Sequence, residues 1–132
     1  MRFLTHFAAA AALSALAVGV ADARRNRSPE AEYQRLIAGK TPGKPVDCID
    51  TRFDRPSLSA YGDKLIYRVS SKLVYVNDST GGCQGVARGD VLVTRQFQSR
   101  LCKGDIAQTV SVPPAIPTGS CALGSFTPYR AN

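Results

Sequence analysis

The sequence predicts a mainly β domain, a small antiparallel sandwich or barrel with one short N-terminal helix and two disulfides. Three observations predict it. From Val46 onward, short β-prone runs alternate with clusters of Gly, Ser, Pro, Asn and Asp. Among them stands one sharp hairpin pattern, KLIYRV and KLVYVN on either side of Ser70-Ser71. The chain also carries four cysteines, Cys48, Cys83, Cys102 and Cys121, behind a leader that reads as an export signal.

The leader has a positive start at Arg2, an apolar run over 7–20 and small residues at Ala21 and Ala23, the two positions a signal peptidase inspects. The run is too short to span a bilayer comfortably, and no cysteine follows it to accept a lipid. The expected organisation is a signal peptide over 1–23 cleaved after Ala23, then a basic tail, short helix and connector over 24–45, then a β domain over 46–132. The expected location is periplasmic or secreted, with no transmembrane segment once the signal is gone.

The formal net charge is +7. Losing 1–23 removes one cation, Arg2, and one acid, Asp22, so the balance stands. The cations are scattered except for Arg24, Arg25 and Arg27, at the new N-terminus. That cluster offers a weak contact to an anionic surface. Export argues against nucleic acid as a partner.

The helix is expected from Ser28 as N-cap, Pro29 at the first position, and Glu30 and Glu32 at the positive end of the dipole. Tyr33, Leu36 and Ile37 form its apolar stripe, suited to covering a sheet face, and Gly39 closes it. Residues 41–45 read as a connector, 46–51 as a short strand holding Cys48, and 54–62 as mostly loop. Pairing the hairpin through a four-residue loop, 69–72, puts Leu65, Tyr67, Val69, Val74 and Val76 on one face, and Ile66, Arg68, Leu73 and Tyr75 on the other. A strand over 91–97 is expected to hold Val91, Val93 and Phe97 on one side. One over 106–112 is expected to turn Ile106, Val110 and Val112 inward. Pro113, Pro114 and Pro117 break that run, and 120–126 reads as a final strand.

The pair Gly-Asp recurs before three predicted strands, at Gly62-Asp63, Gly89-Asp90 and Gly104-Asp105. Gly supplies a positive φ and Asp hydrogen-bonds nearby backbone, so the pairs read as turn chemistry and not as catalytic carboxylates. This applies to RLCKGD, residues 100–105, where Cys102 and Asp105 sit together.

The cysteine spacings are 35, 19 and 19 residues, with no Cys-x-x-Cys, so neither a zinc knuckle nor a thioredoxin-type motif is present. An even count in an exported chain points to two bridges. Three connectivities are open, and the preferred one joins Cys83 to Cys102 and Cys48 to Cys121. The single histidine, His6, lies in the leader. A triad therefore lacks its base, and no P-loop, dinucleotide fingerprint, Gly-x-Ser-x-Gly or Ser-x-x-Lys is found. Asp47 and Asp50 fall on opposite faces of a strand. Residues 77–82, NDSTGG, miss the spacing of a calcium loop, and Asn26 and Asn77 each begin an N-glycosylation pattern. Tyr61, Tyr67 and Tyr75 offer a binding platform or simple packing.

DCID followed by Arg52-Phe53, IYRVSSKLVYVN, GGC at Cys83, RLCKGD and GSCALGSF, in this order and spacing, resemble a family of small exported proteobacterial proteins classed as a domain of unknown function. The resemblance covers 46–128. It implies a secreted β-rich domain with paired cysteines, and it carries no catalytic residues. The expected function is a non-enzymatic binding or structural role with an unknown protein or envelope component as partner and without cofactor or metal. The alternative is a secreted inhibitor of a hydrolase, presenting 54–62 or 112–118 as a rigid loop.

Overall fold

The computed structural model describes residues 28–53 and 55–132. The expected signal peptide and cleavage after Ala23, and Arg24, Arg25 and Arg27, lie outside the described residues.

Helix α1, Pro29–Ile37, begins where the capping chemistry places it: Ser28 Oγ accepts from Ala31 N at 3.2 Å, and Pro29 takes the first position. Gly39, at φ +70°, turns the chain away. The connector then does more than expected. Thr41–Pro42 forms a short edge strand, β1, where a proline costs no ladder bond that the sheet needs.

Eleven strands follow in chain order: β1, β2 (Cys48–Asp50), β3 (Ser57–Tyr61), β4 (Lys64–Arg68), β5 (Leu73–Asp78), β6 (Thr80–Gly81), β7 (Val91–Thr94), β8 (Arg100–Cys102), β9 (Ile106–Ser111), β10 (Ile116–Ala122) and β11 (Phe126–Arg130). A 3-10 helix, Gln84–Arg88, stands between β6 and β7. The strands make a five-stranded sheet ordered β1-β11-β5-β4-β3, a four-stranded sheet ordered β6-β10-β9-β7, and a two-stranded ribbon, β2-β8. Every pairing is antiparallel. The domain is therefore mainly β, as the sequence predicts.

The two sheets face each other across one core. Ala60, Leu65, Tyr67 and Phe126 come from the five-stranded sheet; Ala107 and Cys121 from the other; Ile49 and Leu101 from the ribbon. Tyr67 and Phe126 meet edge to face at 5.7 Å. On the outer face of the five-stranded sheet, Tyr33 and Leu36 of α1 close over Ile66, Val74 and Val76. Tyr33 stacks on Tyr61 at 5.5 Å. The helix is thus a cover for a sheet face. Replacing Ser28 with alanine should remove one capping bond and lower stability by about 1 kcal/mol, read as a shift in the thermal midpoint.

The hairpin departs from its expected register by one residue. Ile66 pairs with Val76 and Arg68 with Val74. The connecting loop has three residues, not the expected four: Val69 N and Ser70 N both reach Leu73 O, and Ser70 Oγ accepts from Lys72 N and Leu73 N. A one-residue slip exchanges the faces. Leu65 and Tyr67 go to the inter-sheet core, while Ile66, Val74 and Val76 go beneath the helix. Both faces of this hairpin are covered, which is why both are apolar.

In the four-stranded sheet Ile106 and Val112, expected inward, face out, and the side that Val91 and Val93 share is also the exposed one. Leu92, Ala107, Thr109 and Cys121 point inward, whereas Val91, Val93, Ile106, Val112 and Ile116 are exposed. Phe97 is exposed too and lies beyond β7. The inner face is filled by small residues because it lies against bulky Tyr67, Phe126 and a disulfide. A hydroxyl chain leads from there to the surface: buried Thr109 shares a 2.9 Å bond with exposed Thr118, which donates to Asp90 Oδ2 at 2.6 Å.

Residues 57–61, expected within a loop, are β3. The expected strand over 120–126 is the end of β10, a link, and the start of β11. Pro117 does not break β10. It sits beside a register shift on the stretch that β6, paired only to Cys121 and Ala122, leaves open.

The disulfide connectivity is Cys48–Cys102 and Cys83–Cys121, not the preferred Cys83–Cys102 and Cys48–Cys121. The reason is strand register. Cys48 and Cys102 are direct cross-strand partners in the β2-β8 ribbon, with Cα atoms 4.0 Å apart. Cys83 follows β6, whose Gly81 pairs with Cys121 of β10. That places Cys83 and Cys121 at a Cα separation of 5.5 Å.

Candidate binding site

RLCKGD resolves into structure. Cys102 is bridged, Gly104 has φ +92°, and Asp105 Oδ2 accepts from Cys102 N at 2.8 Å. The sibling carboxylates are also engaged: Asp63 Oδ1 accepts from Gln84 Nε2 at 2.6 Å, and Asp90 takes the Thr118 hydroxyl. Among the described residues no cysteine is free. Nor do three His, Cys, Asp or Glu side chains gather there to hold a metal. Of the tyrosines, Tyr67 is in the core, Tyr61 stacks on α1, and Tyr75 is half-buried, so they form no shared platform. Asn77 is fully buried with its amide engaged, which leaves no acceptor for a glycan.

The chemistry that faces solvent gathers at one end of the sandwich. The β2-β8 ribbon brings the loop over 51–56 beside the loop over 95–99. Thr51 N donates to Ser99 O at 2.9 Å, and Thr51 Oγ1 lies 3.0 Å from Ser99 O and 3.2 Å from Gln96 Oε1. Gln98 and Ser99 both hold left-handed backbone, φ +65° and +56°, a costly pair for residues with side chains. From this braced base two phenylalanines project, Phe53 at 84% exposure and Phe97 at 88%. Arg52, Arg55, Arg95 and Arg100 are exposed around them. Arg52 lies over the Phe53 ring at 5.7 Å and reaches Asp50 at 3.5 Å. The ion pairs found among the described residues use none of Arg55, Arg95 and Arg100.

Two hollows adjoin these loops. One, of about 530 Å³, lies over the outer face of the four-stranded sheet, between Arg95 and Phe97 on one side and the Gly104-Asp105 turn on the other. The second, of about 300 Å³, opens between the sheet edges β3 and β7. Leu58, Leu92, Leu101 and Pro56 give it apolar walls, and Thr51, Arg55, Thr94 and Gln96 bring polar groups. Tyr67 lines it too. Tyr67 is 4% exposed, and its hydroxyl is a buried side-chain atom without a hydrogen-bond partner among the described residues. Such a group costs roughly 1–3 kcal/mol while unpaired. Burial pushes its pKa far above the ordinary tyrosine range, so it stays protonated.

The sequence reading missed this end of the molecule. A signal was present: TRFDR at 51–55 and TRQFQSR at 94–100 share the order Thr-Arg, Phe, Arg. In each, a lone aromatic sits among polar residues without the alternation that would bury it.

No family model, curated protein or solved structure matches the chain. Among the described residues no helix is long and apolar enough to cross a membrane.

Proposed function

We propose that this chain is an exported, non-enzymatic binding domain that docks on an anionic membrane surface through the loops over 51–56 and 95–99. The observation that carries the reading is the pairing of Phe53 and Phe97, almost fully exposed, with four exposed arginines at one end of a disulfide-braced domain. Exposed aromatic rings enter the headgroup boundary, and each nearby cation adds about 1 kcal/mol of attraction to an anionic leaflet. The leader and the two bridges support passage to an oxidising compartment. The resemblance to small exported proteobacterial domains fits the same setting.

The test is co-sedimentation with vesicles of phosphatidylglycerol or of phosphatidylcholine. The protein should pellet with the anionic vesicles, less so at high salt. The double variant F53S/F97S should lose at least tenfold in apparent affinity, with unchanged thermal stability, because neither ring is buried. Equal binding by wild type and variant would remove the reading.

The second reading, inhibition of a hydrolase, is favoured by the hairpin turn over 112–115. There Val112 and Ile116, both exposed, flank Pro113-Pro114. The other expected loop, 54–62, is mostly strand β3 and does not suit that role. Recovery of a hydrolase with wild-type protein, lost in V112S/I116S, would favour it.

A further inference from the structure

We propose that the 300 Å³ cavity between β3 and β7 is a binding site for a small apolar monocarboxylic acid, a short acyl chain or single aromatic ring with a carboxylate at one end. The cavity shares Arg55 and the loop residues Thr51, Pro56 and Gln96 with the docking end, but a ligand's body packs on Leu58, Leu92 and Leu101, whereas docking uses the outward rings Phe53 and Phe97.

Size sets the first limit. A volume of this order is at the small end for ligand pockets. The walls set the second: Leu58, Leu92, Leu101 and Pro56 suit a hydrocarbon body. The polar groups decide the rest, through the count of donors. Gln96 Nε2 donates to Thr94 Oγ1 at 3.2 Å, so the Thr94 hydroxyl keeps its own proton to give. Arg55 carries only donors. Tyr67 lends the cavity its ring alone, because its hydroxyl is sealed from solvent. Thr51 is already turned to Ser99 and Gln96. The open valences are therefore donors beside a cation, and an anionic acceptor completes them. Among the described residues no aspartate or glutamate lines the cavity to repel it. A carboxylate takes the protons offered by Thr94 and Arg55 while the apolar body packs on the leucines.

Octanoate is the probe, titrated into the full exported protein and followed by the methyl resonances of Leu58, Leu92 and Leu101. Saturable shifts confined to these methyls are expected, with octanol binding at least tenfold more weakly. R55Q, altered at an exposed side chain, should weaken octanoate about tenfold. T94V, which keeps the side chain's shape and removes only the hydroxyl, should weaken it about fivefold. F53S/F97S should bind octanoate as wild type does, which separates this result from the fate of the membrane reading. Unshifted methyls at millimolar octanoate would overturn the proposal. So would equal binding of octanol, or affinities unchanged in both R55Q and T94V.

Discussion

Replacing Cys83 and Cys121 together by alanine is expected to lower the unfolding free energy by about 4 kcal/mol or more, measured by urea denaturation. The bridge closes a separation of 38 residues, and the chain-entropy account alone gives roughly 4 kcal/mol for a loop of that length. Packing adds to it. Both cysteines are buried in the inter-sheet core, among Tyr67, Ala107, Leu123 and Phe126, so removing the sulfurs also leaves a void there. The Cys48–Cys102 bridge makes the useful contrast. Its separation, 54 residues, gives almost the same entropic contribution, but its half-buried cysteines join a two-stranded ribbon at the sandwich end. C48A/C102A should therefore cost less than C83A/C121A, although it opens the longer loop. Graded reduction should open Cys48–Cys102 first, because a thiolate reaches it more easily. Equal costs for the two pairs would show that chain entropy alone sets the effect and that the core around Cys121 closes without loss.

A loss of that size matters for the site. Small domains hold only about 5–15 kcal/mol in total. The loops over 51–56 and 95–99 hang from the β2-β8 ribbon, and the strained pair Gln98 and Ser99 lies just before β8. Opening Cys48–Cys102 should thus loosen the loop end before the domain unfolds, and binding should decline ahead of global stability.

Local rules were legible wherever a single residue chooses the backbone. Ser28, Pro29 and Gly39 delimit α1 because capping acts over one turn. The glycine of each Gly-Asp pair turns the chain for the same reason. Choices made between distant segments were not legible. Alternation along β7 and β9 is real, yet the larger side chains face solvent, because the facing sheet already brings Tyr67 and Phe126 into the core. The hairpin faces turned on whether the loop has three residues or four. The bridges followed strand register, and β8 is a three-residue strand with no pattern of its own. The binding end depends on the contact of Thr51 with Gln96 and Ser99, two stretches far apart in sequence. Its aromatic residues were visible in the sequence, but their neighbourhood was not.

Asn77 supplies the second large effect. It is fully buried on β5, and its side chain copies a backbone ladder: Nδ2 donates to Gly124 O at 2.7 Å and Oδ1 accepts from Gly124 N at 2.9 Å. The link between β10 and β11 has little room of its own, since a Cβ on Gly124 would collide with the backbone of Asp78. Asn77, in the five-stranded sheet, thus ties down the link by which the chain crosses from β10 of the four-stranded sheet to β11. Replacing it with leucine fills the space but leaves a peptide N–H and C=O without partners. The expected cost is about 3 kcal/mol, from two half-buried backbone groups at roughly 1–3 kcal/mol each, reduced by partial access to water. Aspartate separates hydrogen bonding from shape. Ionised Asp accepts from Gly124 N but faces Gly124 O without a proton, and burial raises its pKa above the unfolded value. A group raised in this way favours the fold at low pH and loses that contribution as pH climbs through its folded pKa. N77D should be destabilised at neutral pH and should regain stability relative to wild type on mild acidification, as the protonated acid donates to Gly124 O again. N77L should show no such recovery. Parallel pH profiles for N77D and N77L in urea unfolding would mean that the side-chain ladder does not tie down the link between β10 and β11.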